Sequence, residues 1–338
     1  MITAEITIAA KPALSPVDVL YALVLDDMLA TDMVIHERMS SAVTLIPDLS
    51  RHLIDSGGKR LRPMLTLAAA QACGYGGRQH VKLAAAVEFI HTATLLHDDV
   101  VDASGLRRGK IAANVVWGNK PSILVGDFLF SRAFELMVET DNLAVLGILA
   151  RASSVIAEGE VMQLKSSNNL GTTEEDYLTV VTAKTAALFA ASAEAGAAVA
   201  DARPAQIAAL RDYGHNLGIA FQLIDDTLDY SGREKQMGKS VGDDFREAKV
   251  TLPVILAYRQ ADEEARRFWQ RAIESGRQQE HDLETAIAYV EKTGAIREAH
   301  ARAQAYANRA IRAVSTLPSP EIRDALIEIA EFCVRRGH

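Results

Sequence analysis

The chain has only two cysteines, Cys73 and Cys333, far apart and in no CxxC pair. That excludes a disulfide framework and a thiolate zinc site, and it suits reduced thiols in a cytoplasmic protein. Proline is scarce, with nine in 338 residues, and aromatics make up only 6%. So few helix breakers, and so few aromatic strand formers, argue against a sheet-based fold. An excess of positive charge is also missing. The net charge is −8, which disfavours a nucleic-acid binder. Local arginine and lysine clusters can still bind an anion within that acidic balance. No stretch of about 18 residues is free of charge, so no membrane span is expected. The opening residues, MITAEITIAAKPALSP, lack a basic start and a long apolar segment, so no signal peptide is expected either.

What is present is helical periodicity. Apolar residues make up 49% of the chain, with much alanine. The pattern predicts helices over Pro16–Ser40, Leu61–Gln71, Val81–Val101, Gly126–Glu139, Asn142–Lys165, Glu174–Val199, Pro204–Asp229, Pro253–Gln260, Glu263–Glu274, His281–Thr293, Ala295–Leu317 and Pro320–Arg335. SGGKR (56–60) and CGYGGR (73–78) read as glycine turns. SSNNLGTTEED reads as a loop leading into a capping box of Thr172 and Glu175. The longest polar interruption is SGREKQMGKSVGDDFREAK, 231–249. Nothing resembles an interdomain linker, so residues 1–338 read as a single all-α domain. The helices before Val101 and Asp229 are apolar nearly all round, which marks them as central.

Both central helices end in acid. LLHDDVVDASGLRRGK contains Asp98, Asp99 and Asp102, and FQLIDDTLDYSG contains Asp225, Asp226 and Asp229. Each reads DDxxD. Residues four apart share a helix face, so Asp98 points with Asp102, and Asp225 with Asp229. Like charges at that spacing repel, and burying them is costly unless cations neutralise them. One such cluster could be merely solvated. Two, each closing a strongly apolar helix over a hundred residues apart, are harder to explain that way. Oxygen-only ligands suit a hard ion such as magnesium, which completes its shell with water and phosphate oxygens. Facing clusters would hold a diphosphate through bridging ions.

Basic residues stand beside the acid. Arg107 and Arg108 follow the first cluster, and GGKRLRP supplies Lys59, Arg60 and Arg62. Arginine's fork fits phosphate oxygens, and Gly57 and Gly58 would let backbone N–H groups approach an anion. Lys239 and Lys249 lie in the long polar interruption, as a solvated loop or a cover over phosphates. Two anion sites follow, one metal-dependent and one made of arginine and lysine.

In their order along the chain, GGKRLRP, HTATLLHDDVVDASGLRRGK, Gly126–Asp127, Ala183–Lys184–Thr185, FQLIDDTLD and GKSVGDDFREAKVTLP are similar to the motifs of trans-polyprenyl diphosphate synthases. The resemblance covers about 56–253, and it places the chain with the isoprenoid synthase superfamily. It implies about 10–13 helices around a deep central cavity, usually in a homodimer. It implies Asp98, Asp102 and Asp225 as direct magnesium ligands, with Asp99, Asp226 and Asp229 ligating or supporting through water. Two or three Mg2+ ions are implied, with Mn2+ possible. Arg107 would join the metals on the allylic diphosphate, contacted also by Lys184, Lys239 and Lys249. Lys59, Arg62, His91 and Arg108 would hold isopentenyl diphosphate. Thr185 and Gln222 would present oxygen near a developing carbocation. Taken alone, His91 reads rather as a core histidine hydrogen-bonded within its helix. The chain departs from the family at Glu247-Ala248-Lys249, where glycine is frequent in the middle; this weakens the placement of Lys249.

The implied partners are isopentenyl diphosphate and an allylic primer, farnesyl or geranylgeranyl diphosphate. No nucleic acid is expected, and at most a transient membrane contact. A terpene cyclase or a non-catalytic subunit is disfavoured, because both acid clusters and GGKRLRP are intact. Short-product relatives carry bulky aromatics at the fourth and fifth positions before the first aspartate. Here these are Thr94 and Ala93, small enough to leave the floor open. With Ile90 moderate one turn further up, a long product of roughly eight to ten isoprene units is expected, such as a quinone side-chain precursor. A deeper stop is expected from Phe130, Phe134 or Met137; the alternative is a farnesyl or geranylgeranyl product.

Overall fold

The computed structural model describes residues 14–54, 57–231 and 241–336. Its helices are α1 (Pro16–Leu23), α2 (Leu25–Arg38), α3 (Leu45–Ile54), α4 (Leu61–Ala72), α5 (Gln79–Val101), α6 (Ala113–Trp117), α7 (Asn119–Val138), α8 (Leu143–Ser166), α9 (Glu174–Val181), α10 (Ala187–Val199), α11 (Pro204–Leu228), α12 (Asp243–Arg246), α13 (Leu252–Arg259), α14 (Glu263–Trp269), α15 (Asp282–Lys292), α16 (Ala295–Val314) and α17 (Pro320–Arg335). Among the described residues the only strands are β1 (Leu106–Arg107) and β2 (Lys110–Ile111), an antiparallel pair. The fold is all-α, as the composition implies.

Departures from the expected helices have local causes. The predicted Pro16–Ser40 helix breaks at Val24 (φ −115°, ψ 19°), and its halves take different neighbours: α1 packs on α17 and α2 on α5. The predicted Glu174–Val199 helix is interrupted by a π-helical turn, Thr182–Ala186. A second π turn, Gln270–Glu274, follows α14. Helix α7 begins seven residues early, ahead of Pro121; proline is tolerated in a first turn, where N–H groups lack helical partners. The short helices α6 and α12 are below the length at which the 3.6 period registers, while the ten-residue α3 is a further helix outside the predicted set. The capping box is one residue later than predicted. Thr173 and Asp176 form it, while the Thr172 hydroxyl donates to Asn169 O at 2.7 Å. The run Thr-Thr-Glu-Glu-Asp admits either register.

Alanine and glycine set how closely the helices approach. Ala295, Ala299, Ala303, Ala307 and Ala310 form a fully buried stripe on α16, which packs on α11. A Cβ at Gly196 of α10 would lie 2.2 Å from Thr66 O of α4, and one at Gly214 of α11 would lie 2.3 Å from Phe189 O. Thin faces therefore hold α4, α10 and α11 together as the centre. A second apolar cluster joins α5 to α7 and α8. Residues of α4, α5, α8, α10 and α11 line a hollow.

Candidate active site

The hollow is a cavity of about 1290 Å³, above the usual range for a small-ligand site. Asp98, Asp102, Asp225, Asp226 and Asp229 line it, together with Lys59, Arg62, His91, Arg107, Arg108, Lys184, Thr185, Gln222 and Lys249. Lys239 lies outside the described residues. Asp99 is the one described candidate that does not line the cavity.

Five of the six motif aspartates have a partner that explains their place. Asp99 is fully buried and accepts from Arg107 Nε at 2.8 Å. Burial pushes its carboxyl up, against the pull of Arg107. Asp102 caps α5 and lies 3.0 Å from Lys249 Nζ. Asp225 Oδ1 lies 3.5 Å from Arg336 Nη2. Asp226 accepts from Tyr177 Oη at 2.5 Å and Gln222 Nε2 at 2.7 Å, and burial beside Asp244 drives it up to about 8. Asp229 accepts three backbone N–H bonds, from Gly242, Asp243 and Asp244, at 3.0–3.2 Å.

The basic side comes from three elements. Arg107 and Arg108 sit on the β1–β2 hairpin, whose turn residues Arg108 and Gly109 both have positive φ, 53° and 75°. A two-residue turn of that kind twists with its strands. Arg108 hydrogen-bonds Gly57 O, which ties the hairpin to the GGKR loop. Arg62, on α4, stands 4.3 Å from the Phe189 ring centre and 3.3 Å from His91 Nε2. Burial pushes Arg62 down to about 10 and His91 well below its ordinary range, so His91 is neutral. Burial and then Arg336 also lower Lys59. For Lys249 burial works downward, but Asp244, Asp102 and Glu247 outweigh it and hold the ammonium well above its ordinary range.

The π turn supplies the third element. It carries Lys184 and Thr185, and π turns recur where a helix must re-aim side chains at a site. Lys184 Nζ lies 2.6 Å from Glu160 of α8, and Thr185 Oγ1 donates to Gln222 Oε1 at 2.8 Å. Gly159 lets α8 approach: a Cβ there would lie 2.7 Å from Ala183 Cβ.

Glu160, Asp244, Glu88 and Arg336 line the same cavity and were not predicted. Burial, then Asp98, raises Glu160 to about 7. It is one of two acids in α8, with Glu158, and no pattern in the sequence separates it from a solvated side chain. Asp244 stands within the GKSVGDDFREAKVTLP motif but was given no role, and Arg336 was visible only as a terminal charge.

Among the described residues no three of His, Cys, Asp and Glu converge as a ready metal site. The donor set nevertheless fits a hard divalent ion. Asp98, Asp102 and Asp225 offer oxygen only, and Lys249 and Arg336 stand in as cations beside two of them. An ion there would draw its remaining ligands from water and phosphate, as magnesium does.

The proposed floor is partly exposed to view. Thr94, Leu95 and Ile156 line the cavity, whereas Ala93 is fully buried in the α5–α7–α8 cluster. Met137 is buried in that cluster too and Phe134 is 38% exposed; neither they nor Phe130 line the cavity.

Known proteins resemble the chain along nearly all its length. Octaprenyl diphosphate synthase of Escherichia coli (strain K12) is 45% identical over 314 residues, 93% of this chain and 97% of that protein. A polyprenyl synthase from Caulobacter crescentus CB15, solved with calcium and isoprenyl diphosphate, superposes with a TM-score of 0.93 at 52% identity, covering 97% of this chain and 100% of that one. A decaprenyl diphosphate synthase from Rhodobacter capsulatus superposes with a TM-score of 0.91 at 53% identity, covering 96% and 100%. The profile of the polyprenyl synthetase family matches residues 43–290, so the chain, with paired acid motifs facing one hollow, belongs to that family.

Proposed function

We propose that the chain condenses isopentenyl diphosphate with an allylic diphosphate, farnesyl or geranylgeranyl, to build a long all-trans polyprenyl diphosphate. One observation carries the reading: both acid clusters and the arginine–lysine face line a single cavity. The long-chain relatives support the product class.

Asp98, Asp102 and Asp225 would hold two or three magnesium ions, or manganese. Bound there, the metal supplies positive charge that stabilises the departing diphosphate. Arg107, Lys184 and Lys249 add fixed positive charge on the allylic side, with Lys239 a further candidate. Lys59, Arg62 and Arg108 hold the second diphosphate, with His91 as an uncharged neighbour. Thr185 Oγ1 and Gln222 Oε1 place oxygen lone pairs near the developing allylic cation. The double bond of isopentenyl diphosphate attacks that cation, and the released diphosphate takes the proton. No protein nucleophile is required.

Among the described residues no helix is long and apolar enough to cross a membrane. A cytoplasmic homodimer is the expected setting, supported by apolar side chains exposed on α7 and α8. The test is mass analysis of products from the purified protein with Mg2+, isopentenyl diphosphate and farnesyl diphosphate. A series reaching about eight to ten isoprene units is expected. A stop at fifteen or twenty carbons overturns the length, and no consumption of isopentenyl diphosphate overturns the reaction.

A further inference from the structure

Asp229 closes the second acid motif, and most of its carboxylate is already engaged. Oδ1 accepts from the N–H groups of Gly242 at 3.1 Å and Asp243 at 3.2 Å, and Oδ2 accepts from Asp244 N–H at 3.0 Å. The main-chain oxygen of Asp229 accepts from Gly242 as well, at 3.0 Å. A carboxylate offers about four lone-pair positions, so these bonds occupy most of them. The residue is 4% exposed. Its three donors open α12, where N–H groups have no helical partner of their own.

Helix α12 and the residues after it carry four charged cavity groups, Asp243, Asp244, Glu247 and Lys249. Lys249 N–H donates to Asp244 O at 2.9 Å, and Ala248 at φ +52° turns the chain back. Lys249 Nζ thereby reaches Asp102, in the other acid motif, at 3.0 Å. Buried Phe245 stacks on Phe268 at 6.4 Å, and Gln278 donates to Phe245 O at 2.7 Å. One carboxylate therefore joins the end of α11 to a short brace that spans both acid clusters.

We propose that Asp229 is a positioning residue and not a metal ligand: its carboxylate caps α12 and so fixes Asp244 and Lys249 against the diphosphate site. What the site binds rests on the prenyltransferase reading, but the first test needs neither metal nor substrate. Amide hydrogen exchange is measured on the metal-free full chain for wild type, Asp229→Asn, Asp229→Glu and Asp225→Asn. Asp229→Glu keeps the charge and the capacity to ligate, yet its longer side chain cannot set both oxygens on the same three N–H groups. Exchange over 242–249 should accelerate about tenfold or more in both Asp229 variants and stay within about twofold in Asp225→Asn. Unchanged protection in α5 and α10 shows that each variant is folded. Wild-type exchange in Asp229→Glu, or equal loosening in Asp225→Asn, overturns the anchor.

The second measurement counts Mn2+ bound with inorganic pyrophosphate, by electron paramagnetic resonance. Asp229→Glu and Asp229→Asn should bind as many ions as wild type, and Asp225→Asn fewer. An ion lost in Asp229→Asn, as in Asp225→Asn, overturns the proposal. If wild type binds no Mn2+ with pyrophosphate, the prenyltransferase reading fails, while the exchange result still decides the anchor.

Discussion

Adjacent residues on a helix point about 100° apart, and that angle separates the aspartates of each pair. Asp98 faces the cavity while Asp99 turns into the protein and fixes Arg107. Asp225 faces Arg336 while Asp226 gathers Tyr177 and Gln222. The same logic sharpens the chain-length argument, because Thr94 lines the cavity and Ala93 does not. Thr94→Phe should shorten the product by several isoprene units with little change in thermal stability. Ala93→Phe forces a ring into a packed cluster and should cost about 1–3 kcal/mol, read as a lower Tm. Mass analysis of both products checks this; an unchanged product from Thr94→Phe removes the floor from α5. That Asp98 and Asp102 share a face was legible from spacing alone. The partner of Asp226 was not, because Tyr177 lies 49 residues away and only the packing of α9 on α11 brings them together.

Elements too short or irregular for periodicity position much of the site's charge: the β1–β2 hairpin, the π turn and α12. Their motifs were readable as letters, but not their shapes, since a π turn and an α-helix share one apolar pattern. The π turn depends on the α8 backbone passing close by at Gly159. Gly159→Val should push Ala183 and Lys184 away, 2.7 Å and 3.1 Å from the new Cβ, and lower kcat about tenfold to a hundredfold. Wild-type kcat in a folded variant would show that the turn tolerates displacement. Elsewhere, Asp27 of α2 binds His80 of α5 at 2.8 Å and Gln71 of α4 at 2.9 Å. Burial pushes Asp27 up, but these two hydrogen bonds prevail and hold it below the usual carboxylate range. A carboxyl lowered by folding stabilises fully above its unfolded value and loses that contribution as pH falls through the folded one. Asp27→Asn should therefore lower stability at pH 7 by about 1–2 kcal/mol and flatten its decline between about pH 5 and pH 3. Parallel urea midpoints at several pH values measure both effects, and an unchanged acid slope would remove Asp27 from the account.

At the scale of the whole molecule, the fold class and the joining of the two acid motifs were readable from the chain, because long apolar helices must lie at the centre. The outer faces were not, since what covers them need not be this chain. Leu124 and Val138 of α7 are 66% and 63% exposed; Val161 and Leu164 of α8 are 67% and 60% exposed. Val161 and Leu164 lie three apart and share one face of α8. Ile156 and Glu160 of that helix line the cavity. A homodimer covering the outer face would bury these side chains and brace the wall that holds Glu160 and, through it, Lys184. Charges at the centre of such an interface cost about 2 kcal/mol or more each. Val161→Asp with Leu164→Asp should then weaken association roughly a thousandfold. Sedimentation at micromolar protein should show dimer for wild type and monomer for the double variant. If bracing matters, kcat of the monomer should fall about tenfold while its helical content holds. A wild type that sediments as monomer would leave these four side chains without a partner and remove the brace from the account of catalysis.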